Sequence, residues 1–311
     1  MQIINTLLPV FLIMAVGAFL RKIRFFSEEF VVGLNRLVFW VGLPCLLFGK
    51  IVTAEYNFAV AGKTTLVVVA GTLGCVVTAY LVAFIIRVRP QAVGTFVQGA
   101  FRGNLYYVGL ALIIYSFAGA DPRTSKDVEN VAVFVLALLI PVYNIGAVIV
   151  LLASQHKIDR YVPLRIAREV IANPLFIACV AGGVCLYFLP PLPLFISRSC
   201  EAIGAISLPL ALIGIGGVLV QSRVAGSRLP SLAASLIKVA VAPIVGLWVA
   251  NLVGLGANET KIALLLLACP TAVTSYVVAE QLGGDEKLSA AIIVVSTFLS
   301  IISLSIVIGW F

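Results

Sequence analysis

Long apolar stretches separated by short polar segments run along the whole chain. A helix needs about 20 apolar residues to cross a hydrocarbon core of about 30 Å, and ten stretches approach that length. With boundaries at clusters of charge, glycine and proline, the predicted spans are 3–21, 30–51, 63–86, 92–117, 130–153, 172–190, 199–221, 231–254, 259–281 and 287–310. The pattern predicts an all-α integral membrane protein with ten transmembrane helices.

Helix-breaking residues recur along the chain at nearly one offset. Leu43-Pro44 is matched by Leu208-Pro209, and Gly103-Asn104 by Cys269-Pro270, about 166 positions later. Each half then carries five predicted spans, and an odd number of spans turns the second copy upside down in the membrane. Inverted repeats of this kind are typical of secondary transporters. The pattern therefore predicts two inverted five-helix repeats and solute transport.

The repeats divide the chain into a first repeat at 1–155, a basic linker at 156–170 and a second repeat at 171–311. Short loops rich in lysine and arginine tend to remain in the cytoplasm. One side of the predicted topology holds Arg21, Lys22, Arg24, Arg87, Arg89, Lys157, Arg160, Arg165, Arg168, Arg223, Arg228 and Lys287. The other side holds Lys50, Lys63, Arg123, Lys126, Arg198 and Lys261. Both termini are therefore predicted to be non-cytoplasmic.

The composition agrees with a chain that lies in lipid. Hydrophobic residues make up 62% of it, charged residues make up 11%, and the mean hydropathy is +1.15, which excludes a soluble domain with a polar surface. The net charge of +8 is spread over loops without stacking aromatics, so nucleic acid is not an expected partner. The single histidine, His156, and the lack of mid-span aspartates argue against a metal site, a cofactor or catalysis.

Two predicted spans carry helix-disfavouring residues near mid-membrane, in corresponding places of the two repeats. They are the spans at Gln98 to Ser116 and Leu265 to Gln281. Unpaired backbone in hydrocarbon costs several kcal/mol, so such breaks persist where protein, water or a ligand completes the hydrogen bonds. The candidate binding residues at the breaks are Arg102, Gly103, Asn104, Pro270, Thr271 and Ser275. The alternative is a pair of kinked helices packed through small residues.

Two basic residues inside predicted spans are also candidates. Arg102 would add a full charge to the partial positive charge of half-helix N-termini, which suits an anion; alternatively, it snorkels or forms a structural pair. Lys238 lies in the eighth span, where an ionisable group costs at least about 2.5 kcal/mol unless it is solvated or paired. We consider Lys238 a possible coupling or charge-compensating residue, with snorkelling to the membrane surface as the alternative.

Short motifs along essentially the whole chain resemble the auxin efflux carrier family, which includes bacterial relatives of the plant PIN transporters. In the first half these motifs are Leu34-Asn35-Arg36-Leu37-Val38-Phe39, Leu43-Pro44, Phe101-Arg102-Gly103-Asn104, Gly109-Leu110 and Pro141-Val142-Tyr143-Asn144. In the second half they are Asn173-Pro174, Leu208-Pro209-Leu210-Ala211-Leu212, Cys269-Pro270-Thr271-Ala272-Val273 and Gln281-Leu282-Gly283-Gly284-Asp285. Each motif is weak alone, but their order is specific.

The resemblance implies a ten-helix fold similar to that of bile-acid sodium symporters. That fold has a scaffold domain, a transport domain that moves in the elevator manner, and crossed discontinuous helices 4 and 9. Asn104 and Pro270 would mark the crossing. The substrate-binding candidates near it are Asn35, Arg102, Thr271 and Ser275. A homodimer in the plasma membrane, the inner membrane of a bacterium, is also implied.

The substrate class follows from the same resemblance. Bacterial members are associated with small carboxylates such as malonate and malate, and plant members with auxin, an indole acid. The leading hypothesis is therefore a carrier that binds a carboxylate anion at the crossing and moves it by alternating access. The alternatives are a sodium- or proton-coupled cation or solute transporter on the same fold and a membrane sensor that binds a ligand without moving it. Many members have proline where this chain has Ala111, so the fourth helix is expected to be broken less sharply.

Overall fold

The computed structural model describes residues 2–53, 58–155, 162–188, 190, 192–221 and 228–311. Throughout these residues the backbone forms helices and short turns, and the only β pairing is a single bridge between Gly103 and Thr271. The prediction of an all-α chain is confirmed. Residues 156–161 of the predicted linker, which include His156, and Arg223 lie outside the described residues.

The α-helices are numbered here in chain order. They are α1 Gln2–Lys22, α2 Glu28–Leu37, α3 Leu43–Val52, α4 Phe58–Ile85, α5 Pro90–Phe101, α6 Leu110–Ser116, α7 Pro122–Ser154, α8 Val162–Ile171, α9 Pro174–Phe188, α10 Leu194–Gln221, α11 Arg228–Leu236, α12 Ala242–Leu252, α13 Ala257–Ala268, α14 Thr274–Leu282 and α15 Glu286–Trp310. The chain also has three π-helical turns. Val38–Gly42 connects α2 to α3, Leu105–Gly109 leads into α6, and Ile237–Val241 connects α11 to α12.

Seven helices within the described residues are long and apolar enough to cross a membrane. They are Ile3–Lys22, Glu28–Val52, Phe58–Ile85, Pro122–Ser154, Leu194–Val220, Arg228–Leu252 and Glu286–Trp310. Each of them coincides with a predicted span. Helix length and hydropathy therefore both indicate a multi-pass membrane protein. Helices suit this environment because they satisfy their own backbone hydrogen bonds in lipid.

The three remaining predicted spans have a different form. The span predicted at 172–190 contains the short apolar helix α9. The spans predicted at 92–117 and 259–281 are each divided into two helices with non-helical residues between them. The arrangement of ten helices in two inverted repeats therefore stays a prediction.

Two of the π-helical turns lie directly before a proline. Pro44 and Pro243 each stand in the first turn of the helix that follows such a turn. A proline has no backbone N–H, and its ring clashes with the carbonyl four residues earlier, so the preceding turn widens. This local geometry places Lys238 within the second of these π-helical turns.

The helices pack into two groups. The first helix group consists of α1, α2, α3, α9 and α10, and the second consists of α4, α5, α7 and α11–α15; within each group the helices contact one another more extensively than they contact the other group. Small residues bring α1 and α10 together, because a Cβ atom at Gly17 would clash with the Ile213 carbonyl and one at Gly216 with the Met14 carbonyl. Contacts of α3 and α9 with α7, and of α1 with α6 and α15, connect the groups.

Candidate functional site

Two predicted membrane spans in the second helix group, 92–117 and 259–281, are interrupted in their interior. Helix α5 ends at Phe101, Arg102 is extended at φ −77° and ψ 93°, and the helical path resumes only at the π-helical turn after Asn104. Helix α13 ends at Ala268, and α14 begins at Thr274. The first break lies at Arg102 to Asn104, before Ala111. It therefore forms without the proline that the family resemblance led us to expect at position 111.

The backbones of the two breaks pair with each other. Gly103 and Thr271 form an isolated antiparallel bridge. The Asn104 N–H donates to the Pro270 carbonyl at 2.8 Å, and the Ala272 N–H donates to the Arg102 carbonyl at 2.8 Å. Each break thus satisfies polar groups that the other exposes, which is the condition for irregular backbone at membrane depth.

Thr271 ties this pairing to two neighbouring helices. Its hydroxyl donates to the Gly99 carbonyl of α5 at 2.7 Å, and its N–H donates to Ser296 Oγ of α15 at 3.0 Å. Only 1% of Thr271 is exposed. The hydroxyl proton is therefore used within the protein, and Thr271 acts mainly to hold the two breaks in register.

Arg102 is directed towards α7. Its side chain is buried, and one guanidinium nitrogen donates to Asn144 Oδ1 at 2.8 Å. The neighbouring Phe101 ring stacks edge-on against Tyr143 with 5.9 Å between ring centroids. The hydrogen bond with Asn144 thus holds Arg102 beside the paired breaks. Because the Asn144 amide is neutral, Arg102 keeps its positive charge.

Lys238 lies immediately behind the paired breaks. Its side chain is completely buried, and its ammonium donates to the carbonyl of Leu267, in the last turn of α13. A Cβ atom at Gly103 would lie 3.1 Å from Lys238 Cε and 3.2 Å from Nζ, so any larger residue there would require the lysine to shift by a few tenths of an ångström. The orphan carbonyls at a helix C-terminus carry partial negative charge, which the ammonium partly offsets. No carboxylate forms an ion pair with Lys238 within the described residues.

Two further polar side chains near the breaks have buried atoms without hydrogen-bond partners in the described part of the chain. Gln98 is fully buried, and neither its Nε2 nor its Oε1 atom is paired; Ser275 is 1% exposed, and its Oγ atom is unpaired. A buried polar group left unpaired costs about 1–3 kcal/mol. Such groups indicate a ligand or water that completes them.

Gln98 is not among the candidates that the sequence suggested, although a signal for it existed. It lies four residues before Arg102, and its carbonyl accepts the Arg102 N–H at 2.9 Å. Residues four apart share a helix face. An amide at this spacing from the break, inside an apolar span, therefore belongs with the candidate residues.

Asn35 differs from the other candidates in position. It lies in α2 of the first helix group and is half-buried, with its amide packed so closely against Gly214 of α10 that a Cβ atom there would clash with Oδ1. The breaks bring together Arg102, Gly103, Asn104, Pro270 and Thr271, with Ser275 in the first turn of α14. Asn35 is placed on the opposing helix group.

Comparison with known proteins identifies the family. The membrane transport protein family matches residues 2–308. A protein of Rhizobium meliloti named "Putative malonate transporter" is 25% identical over 312 residues, which cover 96% of this chain and 93% of that protein. A protein of Methanocaldococcus jannaschii named as an uncharacterized transporter is 21% identical over 314 residues, covering 98% of this chain and 97% of that protein. The chain therefore belongs to this membrane transport protein family, the auxin efflux carrier family, and is a transporter, not an enzyme.

Proposed function

We propose that this protein is a secondary transporter that carries a small organic carboxylate across the bilayer by alternating access, with the substrate bound at the paired breaks. The observation that carries the proposal is the sign of the buried charge. The buried charged residues of the described chain are Arg102, Lys238 and Lys261, all cations. None of the aspartates or glutamates whose side chains the structure describes is buried. An interior whose buried charges are all positive attracts an anion, because an anion lowers the cost of keeping cations away from water.

Hydrogen-bond donors around the breaks fit a carboxylate. The Lys238 ammonium lies directly behind Gly103, and the unpaired Gln98 Nε2 and Ser275 Oγ atoms are on the flanking helices α5 and α14. The first amides of a helix have no partner within that helix and carry partial positive charge. The second halves of both broken spans begin here, so their N-termini add to the attraction.

The proposed architecture has ten spans, in two inverted repeats at 1–155 and 171–311, with helices 4 and 9 crossing at the breaks. The pairing of Gly103 with Thr271 supports the crossing, because these residues come from corresponding spans of the two repeats. The short and divided helices in the fourth, sixth and ninth predicted spans are compatible with this count.

The movement that we propose is a displacement of the second helix group against the first. Both breaks, Lys238 and Gln98 belong to helices or turns of the second group. A rigid group that carries its ligand past a fixed partner exposes the site alternately to the two sides of the membrane. Asn35, which packs on the first group, would contact the substrate from the fixed side. A homodimer in the plasma membrane with non-cytoplasmic termini completes the proposal.

A cation transporter on the same fold is the second candidate. Such a site usually contains an acidic residue inside the membrane, and no acidic side chain that the structure describes is buried. The relative named "Putative malonate transporter" further supports an anionic carboxylate such as malonate or malate. Indole acids are the other substrates to test.

The experiment is uptake of labelled malonate, malate and an indole acid into proteoliposomes with imposed voltage, proton and sodium gradients. Saturable flux of one acid supports the carrier and identifies the driving force. A folded protein that moves none of them under any gradient refutes the proposal. A protein that binds malonate without transporting it would instead be a sensor.

A further inference from the structure

A polar cavity lies at the junction of the two helix groups, away from the paired breaks. It lies between the C-terminal end of α3 and the first turns of α7, is open to the surface and has a volume of about 320 Å³. The polar residues that line it are Lys50, Thr53, Ser125, Lys126, Glu129 and Asn130. Small-molecule sites usually have volumes of about 300–1,000 Å³, so this cavity suits a small ligand.

An ion pair crosses the cavity between the two helix groups. The Lys50 ammonium of α3 is paired with Glu129 Oε2 of α7. The side chains of Lys50 and Glu129 are 43% and 23% exposed, so water reaches both charges. Ion pairs in contact with water contribute little net stability and are screened by salt. The carboxylate of a ligand can therefore compete with the Glu129 carboxylate for the Lys50 ammonium.

Asn130 provides an independent indication of a ligand. It is only 5% exposed, it lines the cavity, and its Nδ2 atom has no hydrogen-bond partner within the described residues. The Nδ2 atom itself has almost no accessible surface, so it reaches an oxygen atom in the cavity when the Asn130 side chain turns, and such a turn is favoured because a buried amide N–H without an acceptor is unfavourable. The positive charges of Lys50 and Lys126 exceed the single negative charge of Glu129, so that oxygen is expected to belong to an anion.

We propose that this cavity is a second binding site, which takes a small carboxylate anion. The ligand accepts hydrogen bonds from the Asn130 amide and the Lys126 ammonium, and it displaces Glu129 from Lys50. The need for an anion follows from the cavity itself, whereas the choice of a carboxylate rests on the proposed function. The basic residues here lie on the side that the sequence predicts to be non-cytoplasmic, so the site is where an external substrate would first bind.

The test is calorimetric titration of the purified full-length protein with malonate at low salt. Glu129→Gln removes the competing carboxylate and is expected to tighten binding about fivefold, the size of one exposed charge interaction. Lys126→Gln is expected to weaken binding by a similar factor. Asp127→Asn is the matched control, because Asp127 is exposed on the same turn and does not line the cavity; it should leave affinity unchanged.

Two results would overturn the proposal. One is an affinity that neither Glu129→Gln nor Lys126→Gln changes. The other is phosphate binding as tightly as malonate with the same response to Glu129→Gln, which would rule out the carboxylate. Failure of the proposed transport function is distinguishable, because Gln98→Leu at the breaks should lower the affinity for the transported substrate yet leave the Glu129-sensitive binding event intact.

Discussion

Lys238 offers the sharpest test of an anion site at the paired breaks. Replacing it by methionine removes the ammonium and keeps most of the buried stem. The Leu267 carbonyl loses its charged donor, which costs about 1–3 kcal/mol, but the penalty of burying an ammonium is also removed. Because these effects oppose each other, we expect the free energy of unfolding of Lys238→Met to fall by no more than about 2 kcal/mol.

The effect on substrate should be larger. Truncating one partner of a buried charge pair usually costs about 2–5 kcal/mol. Taking about 3 kcal/mol, the half-saturation concentration for malonate should rise about 100-fold. Uptake into proteoliposomes measures this rise, and thermal unfolding in detergent measures the stability of the same preparation.

Lys261→Met is the matched control for this experiment. Lys261 is also buried, but it lies in the first turns of α13, at the end opposite the break, with its ammonium 4.8 Å from the centroid of the Phe117 ring. Its replacement should leave the half-saturation concentration near that of the wild type. A Lys238→Met protein that transports malonate with wild-type parameters would refute the role of this ammonium.

Three further substitutions probe the breaks. Pro270→Ala restores a backbone N–H and removes the clash that ends α13, so uptake should fall at least about tenfold while membrane insertion, checked by fractionation, is retained; wild-type uptake would count against the crossing. Gln98→Leu replaces an unpaired buried amide, so thermal stability should rise slightly while malonate affinity falls, and an unchanged affinity would remove Gln98 from the site. Asn144→Ala removes one acceptor of the Arg102 guanidinium and should weaken malonate binding about fivefold or more; an unchanged affinity in titration calorimetry would count against a role of this pair in binding.

The positions of the spans were largely predictable because the bilayer imposes a simple constraint. A run of about 20 apolar residues has few alternatives to a membrane helix, and all seven long helices of the described chain fall at predicted spans. The breaks were also predictable in place, since glycine and proline disfavour helix wherever they occur. Local chemistry alone decides both features.

The roles of individual polar residues were harder to predict, because they depend on neighbours that are distant in sequence. The Thr271 hydroxyl was a candidate either for freed backbone groups or for a ligand, and in the structure it donates to the backbone carbonyl of Gly99. Arg102 pairs with Asn144. Neither partner could be selected from the sequence, since many acceptors of equal polarity, in the backbone and in side chains, were available to each.

The sequence by itself thus determined the environment of the chain, its helical class, the places where two helices must break and the family to which it is similar. Only the tertiary structure decided that the breaks pair backbone to backbone and that Lys238 turns inward to the Leu267 carbonyl. The physical reason is the distance over which each effect acts along the chain. Hydropathy and helix breaking act on each residue through its own solvent and backbone, whereas a buried ammonium takes its direction from the packing of helices that the chain brings together only after folding.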